Sequence, residues 1–124
     1  MLRLLIVDDH AIVREGYRRL LERRQDLRIV AEAGAADEGY EQFKIHEPDV
    51  TLLDLSLGAG SGLRLLAQML RHSPEAALLV FSMHAEALYA VQALKAGARG
   101  YVTKGSAPQV LVEAVYQVAR GQRA

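Results

Sequence analysis

Five short apolar runs, each followed by a stretch of helical period, constrain the fold of this chain most tightly. The runs are Leu2 to Val7, Leu27 to Ala33, Val50 to Leu53, Ala77 to Phe81 and Gly100 to Thr103. Near-continuous apolar runs of this length suit strands buried on both faces. After the first, Ile12, Val13, Gly16, Tyr17, Leu20 and Leu21 recur at helical spacing, with Arg14, Glu15, Arg18, Arg19 and Glu22 on the other side. Gln25-Asp26 closes that helix. Tyr40 and Phe43 mark a second helix over Ala36 to His46, and Pro48 forbids its continuation. Leu63, Leu66, Ala67 and Leu70 mark a third, with Ser61 as a candidate cap and Ser73-Pro74 as its end. Leu88, Val91 and Leu94 share one face of a fourth, and Gly97 stands where a left-handed C-terminal residue is wanted. The fifth, Pro108 to Arg120, has proline in its first turn and stops before Gly121.

Strict alternation of this kind predicts a parallel sheet covered by helices on both faces. Right-handed crossovers leave few arrangements, and a flavodoxin-like (βα)5 sandwich of strand order 2-1-3-4-5 is expected. The 124 residues make one domain, 1–124, without internal repeat or linker. Lys plus Arg equals Asp plus Glu at 15 each, so no basic excess supports nucleic-acid or anionic-membrane binding by this segment. Cysteine is absent, which excludes thiolate metal sites and suits a reducing cytoplasm. No apolar run approaches the roughly 20 residues of a membrane span. The expected location is cytoplasmic, away from the membrane.

The strand ends carry the chemistry. Strand one ends at Asp8-Asp9, strand three at Asp54, strand four at Ser82 and strand five at Lys104. Each has an ordinary reading: a helix cap, a turn residue, a solvated lysine. In the order 2-1-3-4-5, however, strands one and three are neighbours with the winding reversed between them. Ligands of open α/β sheets bind in that crevice. Three carboxylates there repel one another, which raises their pKa values or demands a cation. Oxygen donors without a histidine pair favour a hard ion such as Mg²⁺. Lys104 and Ser82 are then placed to meet phosphoryl oxygens. His10 reads as a turn residue, and His46 and His72 lie near helix ends.

These residues resemble the receiver domain of two-component response regulators, across essentially the whole chain. The segments Val7-Asp8-Asp9-His10, Ser82-Met83-His84 and Gly97-Ala98-Arg99-Gly100-Tyr101 look most like the NarL/FixJ branch. The resemblance implies that Asp54 is the phosphoacceptor, taking its phosphoryl group from a sensor histidine kinase. It implies Mg²⁺ held by Asp8, Asp9, Asp54 and the backbone carbonyl of Ser56, with Ser82 and Lys104 on the phosphoryl group. Ser82 and Tyr101 would form the switch, altering the face made by helix four, strand five and helix five. Ser56 and His84 would tune the lifetime of the acyl phosphate. The domain would be no enzyme in the usual sense, but a phosphoacceptor assisting its own phosphorylation and dephosphorylation. A homodimer is compatible with this branch. Its members usually carry a LuxR-type helix-turn-helix effector domain after the receiver, so DNA would be met only through a domain outside these residues.

The sequence departs from the family at several points. Leu57-Gly58 replace the common Met-Pro, and with Gly60 and Gly62 they relax the loop after Asp54. The expectation is a more mobile loop and a less preorganised Ser56 carbonyl. Met83 is bulkier than the small residue common there and would restrict access to the phosphoryl group. Rival readings are a pseudo-receiver acting through protein contacts without phosphate, a stand-alone receiver without DNA output, and an enzyme of related layout. The acidic set with Ser82 and Lys104 argues against the pseudo-receiver. Against an enzyme, the aspartate that haloacid-dehalogenase phosphatases carry two residues after the nucleophile is replaced by Ser56. The phosphate loop of flavodoxins and the Walker glycine-lysine pattern are also missing.

Overall fold

The computed structural model describes residues 1–55, 57, 61–82 and 87–122, with backbone only for 61 and 87–89. Its elements alternate throughout: β1 (Leu2–Val7), α1 (Ala11–Glu22), β2 (Leu27–Ala33), α2 (Ala36–His46), β3 (Val50–Leu53), α3 (Ser61–His72), β4 (Leu78–Ser82), α4 (Ala87–Lys95), β5 (Gly100–Thr103) and α5 (Pro108–Ala119). The strands form one sheet of order β2-β1-β3-β4-β5, with every pairing parallel. This is the expected doubly wound sheet.

Successive residues of each strand supply opposite cores, because strand side chains alternate across the sheet. Leu4, Ile6, Leu52, Leu79 and Phe81 pack with Leu21 of α1 and with Leu111, Val115 and Val118 of α5. Leu5, Val7, Leu53, Leu78 and Val80 pack on the other face, with Phe43 of α2 and Leu65, Leu66 and Met69 of α3. Each fully buried Leu, Ile or Val contributes about 1.5–3 kcal/mol relative to exposure, so the sheet is a rigid base for what its ends carry.

Several elements differ from their sequence-based expectations. Helix α1 ends at Glu22, with Arg23 as C-cap, instead of reaching Gln25-Asp26. The Arg24 N–H donates to the Leu21 carbonyl and the Leu27 N–H to that of Arg24, turning the chain directly into β2. Ile12, assigned to the buried face of α1, is 89% exposed, and Gly16 is exposed as well. Val13, Tyr17 and Leu20 line the sheet-facing stripe; Ile12 and Gly16 belong to a neighbouring row of a helix that turns about 100° per residue. Strand β4 starts at Leu78 and includes Ser82. Helix α5 stops at Ala119, with Arg120 as its cap.

Two glycines have definite tasks. Gly97 takes the positive φ expected of it, +111°, and a Cβ there would clash with Leu70 Cδ1. Gly62 is a packing residue, contrary to its expected role of loosening the loop. A Cβ there would lie 2.6 Å from the Leu55 backbone, so glycine lets the first turn of α3 close onto the chain just past Asp54. Leu57 is buried in the same core, whereas Gly58 and Gly60 lie outside the described residues. Glu47 ends α2 in the left-handed region at φ 45°, a conformation not expected of a glutamate. The following Pro48 disfavours a right-handed helical conformation there.

Candidate functional site

The ladder of the sheet carries the site residues into place. Val7 of β1 stands opposite Leu53 of β3, so Asp8 and Asp54 leave adjacent strands at the same level. Backbone bonds extend past the strand ends: Asp8 N–H donates to the Ala33 carbonyl, Asp54 N–H to that of Val7, and Lys104 N–H to that of Ser82. Asp8, Asp54 and Ser82 are fully buried. Unsolvated carboxylates require compensation, and Lys104 supplies it. Its ammonium, with only 6% of the side chain exposed, donates to Asp8 Oδ2 at 2.7 Å and to Asp54 Oδ2 at 3.0 Å. The same ammonium lies 5.0 Å from the centre of the Phe81 ring, which Tyr17 meets edge-on.

The electrostatics follow from this geometry. Burial pushes the Asp8 carboxyl up, but hydrogen bonds from Lys104 and from the His10 N–H outweigh it, leaving Asp8 below the usual carboxylate range. Burial likewise opposes the charge on Lys104, yet Asp8 and Asp54 hold its pKa above the ordinary lysine value. For Asp8, the upward shift expected from carboxylate crowding is therefore reversed. Burial pushes the Tyr17 hydroxyl up; the Lys104 ammonium opposes this and the Asp8 and Asp54 charges add to it, leaving Tyr17 above the ordinary tyrosine value.

Asp9 and His10 form the outer wall. Asp9 is 41% exposed and its Oδ1 lies 2.9 Å from His10 Nδ1; Asp8 Oδ1 lies 3.0 Å from the same nitrogen. Donor atoms of Asp8, Asp9, His10 and Asp54 all fall within 4.8 Å of one another. Three carboxylates in that span, backed by a single ammonium, fit a divalent cation by donor type and charge. Asp8, Asp9, Asp54, Ser82 and Lys104 are all at this edge, as the sequence placed them. Tyr101 stands half-buried on β5, packed against the α2–α3 core. Ser56, Met83 and His84 lie outside the described residues.

Two participants escaped the sequence reading. His10, taken for a turn residue, is the N-cap of α1 and part of the acidic cluster. Arg14, assigned to the outer side of α1, donates to the backbone carbonyl of Asp8 and, from Nε, to Glu32 Oε1 at 3.2 Å. Arg18 donates to the other oxygen of Glu32 at 2.6 Å. The available signal was spacing: Arg14 follows His10 by four residues, one helical turn, and so faces back over the end of β1. A separate cavity of about 330 Å³, lined by Phe43, Pro48, Asp49, His72 and Ala77, lies where β3 and β4 begin. It is at the opposite end of the strands from the carboxylates.

Comparison with known proteins agrees with the fold. Residues 4–116 match the response regulator receiver domain family. The response regulator UvrY of Escherichia coli K12 is 34% identical over 123 residues, spanning 99% of this chain and 56% of UvrY. The oxygen regulatory protein NreC of Staphylococcus epidermidis is 37% identical over 122 residues, 98% of this chain and 56% of NreC. The chain thus spans just over half the length of these curated relatives. Among solved structures, a LuxR-family two-component response regulator from Aurantimonas sp. SI85-9A1 superposes with a TM-score of 0.96 at 43% identity, covering 100% of this chain and 89% of the other. The receiver domain of the putative regulator NarL from Mycobacterium tuberculosis gives 0.89 at 34% identity, covering 98% of each chain.

Proposed function

The chain belongs to the receiver domain family of two-component response regulators, of the LuxR/NarL type, and on that premise we propose that it is a phosphorylation-dependent switch with Asp54 as phosphoacceptor. The observation that carries this reading is the pair of buried carboxylates, Asp8 and Asp54, bridged by the Lys104 ammonium. An oxygen of Asp54 attacks the phosphorus of a phosphohistidine on a sensor kinase. The P–N bond breaks, its electron pair leaves on the imidazole, and an acyl phosphate remains. An ionised carboxylate needs no base for this step. Lys104 stays beside the new phosphoryl group as a fixed positive charge, which is most of what phosphoryl transfer asks of a protein.

Asp8, Asp9 and Asp54 would hold Mg²⁺, with the Ser56 carbonyl as a further ligand. When bound, the ion neutralises charge on the transferring oxygens. The Ser82 hydroxyl, at the end of β4, is the natural donor to a phosphoryl oxygen. Its movement leaves room for the half-buried Tyr101 ring, coupling the site to the α4-β5-α5 face as a shift between two populations. Ser56 and His84 are assigned the tuning of acyl-phosphate lifetime on sequence position alone. The domain signals and is no classical enzyme, although its own side chains assist phosphorylation and dephosphorylation. Control of transcription would pass through a LuxR-type DNA-binding domain beyond this segment, with a receiver homodimer as one route. A cytoplasmic site of action suits a kinase partner of this kind, and among the described residues no helix is long and apolar enough to cross a membrane.

Incubation with phosphoramidate and Mg²⁺, read by intact mass, tests the reading. One added phosphoryl group, absent in Asp54→Asn, is expected. A wild-type mass unchanged while metal is bound would instead support a phosphate-independent interaction module.

A further inference from the structure

We propose that His10 is a metal-selecting ligand, which makes the acidic site prefer first-row transition ions such as Mn²⁺ or Co²⁺ to Mg²⁺. The inference rests on the receiver reading, since it concerns the same acidic cluster. It begins with a residue in an unusual post. His10 is the N-cap of α1, with extended backbone at φ −103° and ψ 103°, but its side chain makes no capping hydrogen bond. N-caps usually serve by accepting from the first-turn N–H groups, and Ser, Thr, Asp and Asn do so best. Here the ring turns to the carboxylates instead.

The spacing fits shared coordination. Ligands held at about 2.1 Å by a six-coordinate ion stand roughly 3 Å apart when adjacent. His10 Nδ1 is 3.0 Å from Asp8 Oδ1 and 2.9 Å from Asp9 Oδ1. The nitrogen, which meets both acids at hydrogen-bond distance in the metal-free chain, therefore stands at ligand separation from each of two carboxylate oxygens, all within 4.8 Å of one another. The ring is 60% exposed, so small adjustments meet little packing resistance. The backbone also fixes the relationship, because the His10 N–H donates to Asp8 Oδ1 at 2.8 Å and holds the cap residue against the acid.

Donor chemistry then sets the preference. Mg²⁺ takes oxygen ligands and retains water, so an imidazole adds little for it. A nitrogen donor suits borderline ions, and affinity rises along the series from Mn²⁺ through Co²⁺. Asp8, Asp9 and Asp54 would provide charge and basal affinity for any divalent ion, with His10 providing the difference between ions.

Calorimetric titration of the chain with Mg²⁺ and, separately, with Co²⁺ tests this on wild type, His10→Ala, His10→Asn and Asp9→Asn. Co²⁺ should bind wild type more tightly than Mg²⁺. Both His10 variants should lose about tenfold in Co²⁺ affinity with Mg²⁺ nearly unmoved. The Co²⁺ complex of wild type should also show a hyperfine-shifted exchangeable imidazole proton in its NMR spectrum, missing from both variants. Equal losses for the two ions, or no loss for Co²⁺, would overturn the assignment of His10 while leaving the acidic site standing. Failure of wild type to bind either ion, or indifference of both to Asp9→Asn, would overturn the acidic metal site and this inference together.

Discussion

Lys104 reaches Asp54 across fifty residues of sequence, its Nζ 3.0 Å from Oδ2 at the carboxyl ends of the strands. The same ammonium holds Asp8, so the end of β5 is tied electrostatically to the ends of β1 and β3. Replacing Lys104 by alanine leaves two buried carboxylates without this partner, a change that costs roughly 3 kcal/mol where one member of a buried pair is deleted. A lowered denaturation midpoint at neutral pH is expected. Added Mg²⁺ should recover part of it, because an ion that binds only the folded chain stabilises by mass action.

The same contacts set a pH dependence. Asp8 has a folded pKa below its ordinary 3.8, so its contribution is complete above that value and is lost as pH falls through the lower folded one. Lys104 has a folded pKa above its ordinary 10.5, so its contribution is complete below that value and is lost as pH rises through the higher one. The stability gap between wild type and Lys104→Ala should therefore be flat across the neutral range and narrow at both extremes. Urea titrations at a series of pH values measure it directly. A gap that widened in acid would contradict the ion-pair account.

Arg14 is expected to act on the site through Asp8. Its guanidinium grips the Asp8 carbonyl and also meets Glu32, so it sets where the carboxylate-bearing strand end lies. Arg14→Ala should weaken Mg²⁺ binding about tenfold, the low end of the range found for residues that orient ligands. Arg18→Ala, which breaks only the outer contacts to Glu32 and Glu22, should leave Mg²⁺ binding almost unchanged. If both variants lowered stability alone, with equal and unaltered metal affinity, Arg14 would be a structural residue only.

Two glycines give opposite expectations for one substitution. Gly62→Ala places a methyl group 2.6 Å from the Leu55 backbone, and overpacking of this kind costs about 1–3 kcal/mol. Gly16→Ala, in the exposed middle of α1, meets nothing within 4 Å. Alanine there gains about 1 kcal/mol of helix propensity. Thermal or denaturant midpoints should move in opposite directions, and Gly62→Ala should also impair phosphorylation, since the close approach it allows is to Leu55, the neighbour of Asp54.

The sheet order was legible because continuously apolar runs, helical periods and turn residues all agree on it. The inner wall of the site was legible too, since Asp8, Asp54, Ser82 and Lys104 each end a strand. Asp9, next to Asp8, came with them. His10 and Arg14 were not, for a local reason. They belong to the first turn of a helix, where periodicity assigns polar residues to solvent and says nothing of a side chain reaching back over the strand end. Ile12 erred in the other direction, because an apolar residue beside the buried stripe counts towards the stripe. Gly62 was misread because a sequence shows a glycine's freedom and hides the backbone that approaches it.

The most direct test of the account is chemical trapping of the acyl phosphate. The chain is phosphorylated by its cognate kinase or by phosphoramidate with Mg²⁺, reduced with borohydride, digested and sequenced by mass spectrometry. Reduction converts the modified aspartate to homoserine, and the expected result is that change at Asp54 alone, with Asp8 and Asp9 intact. Homoserine at Asp8 or Asp9, with Asp54 untouched, would contradict the account.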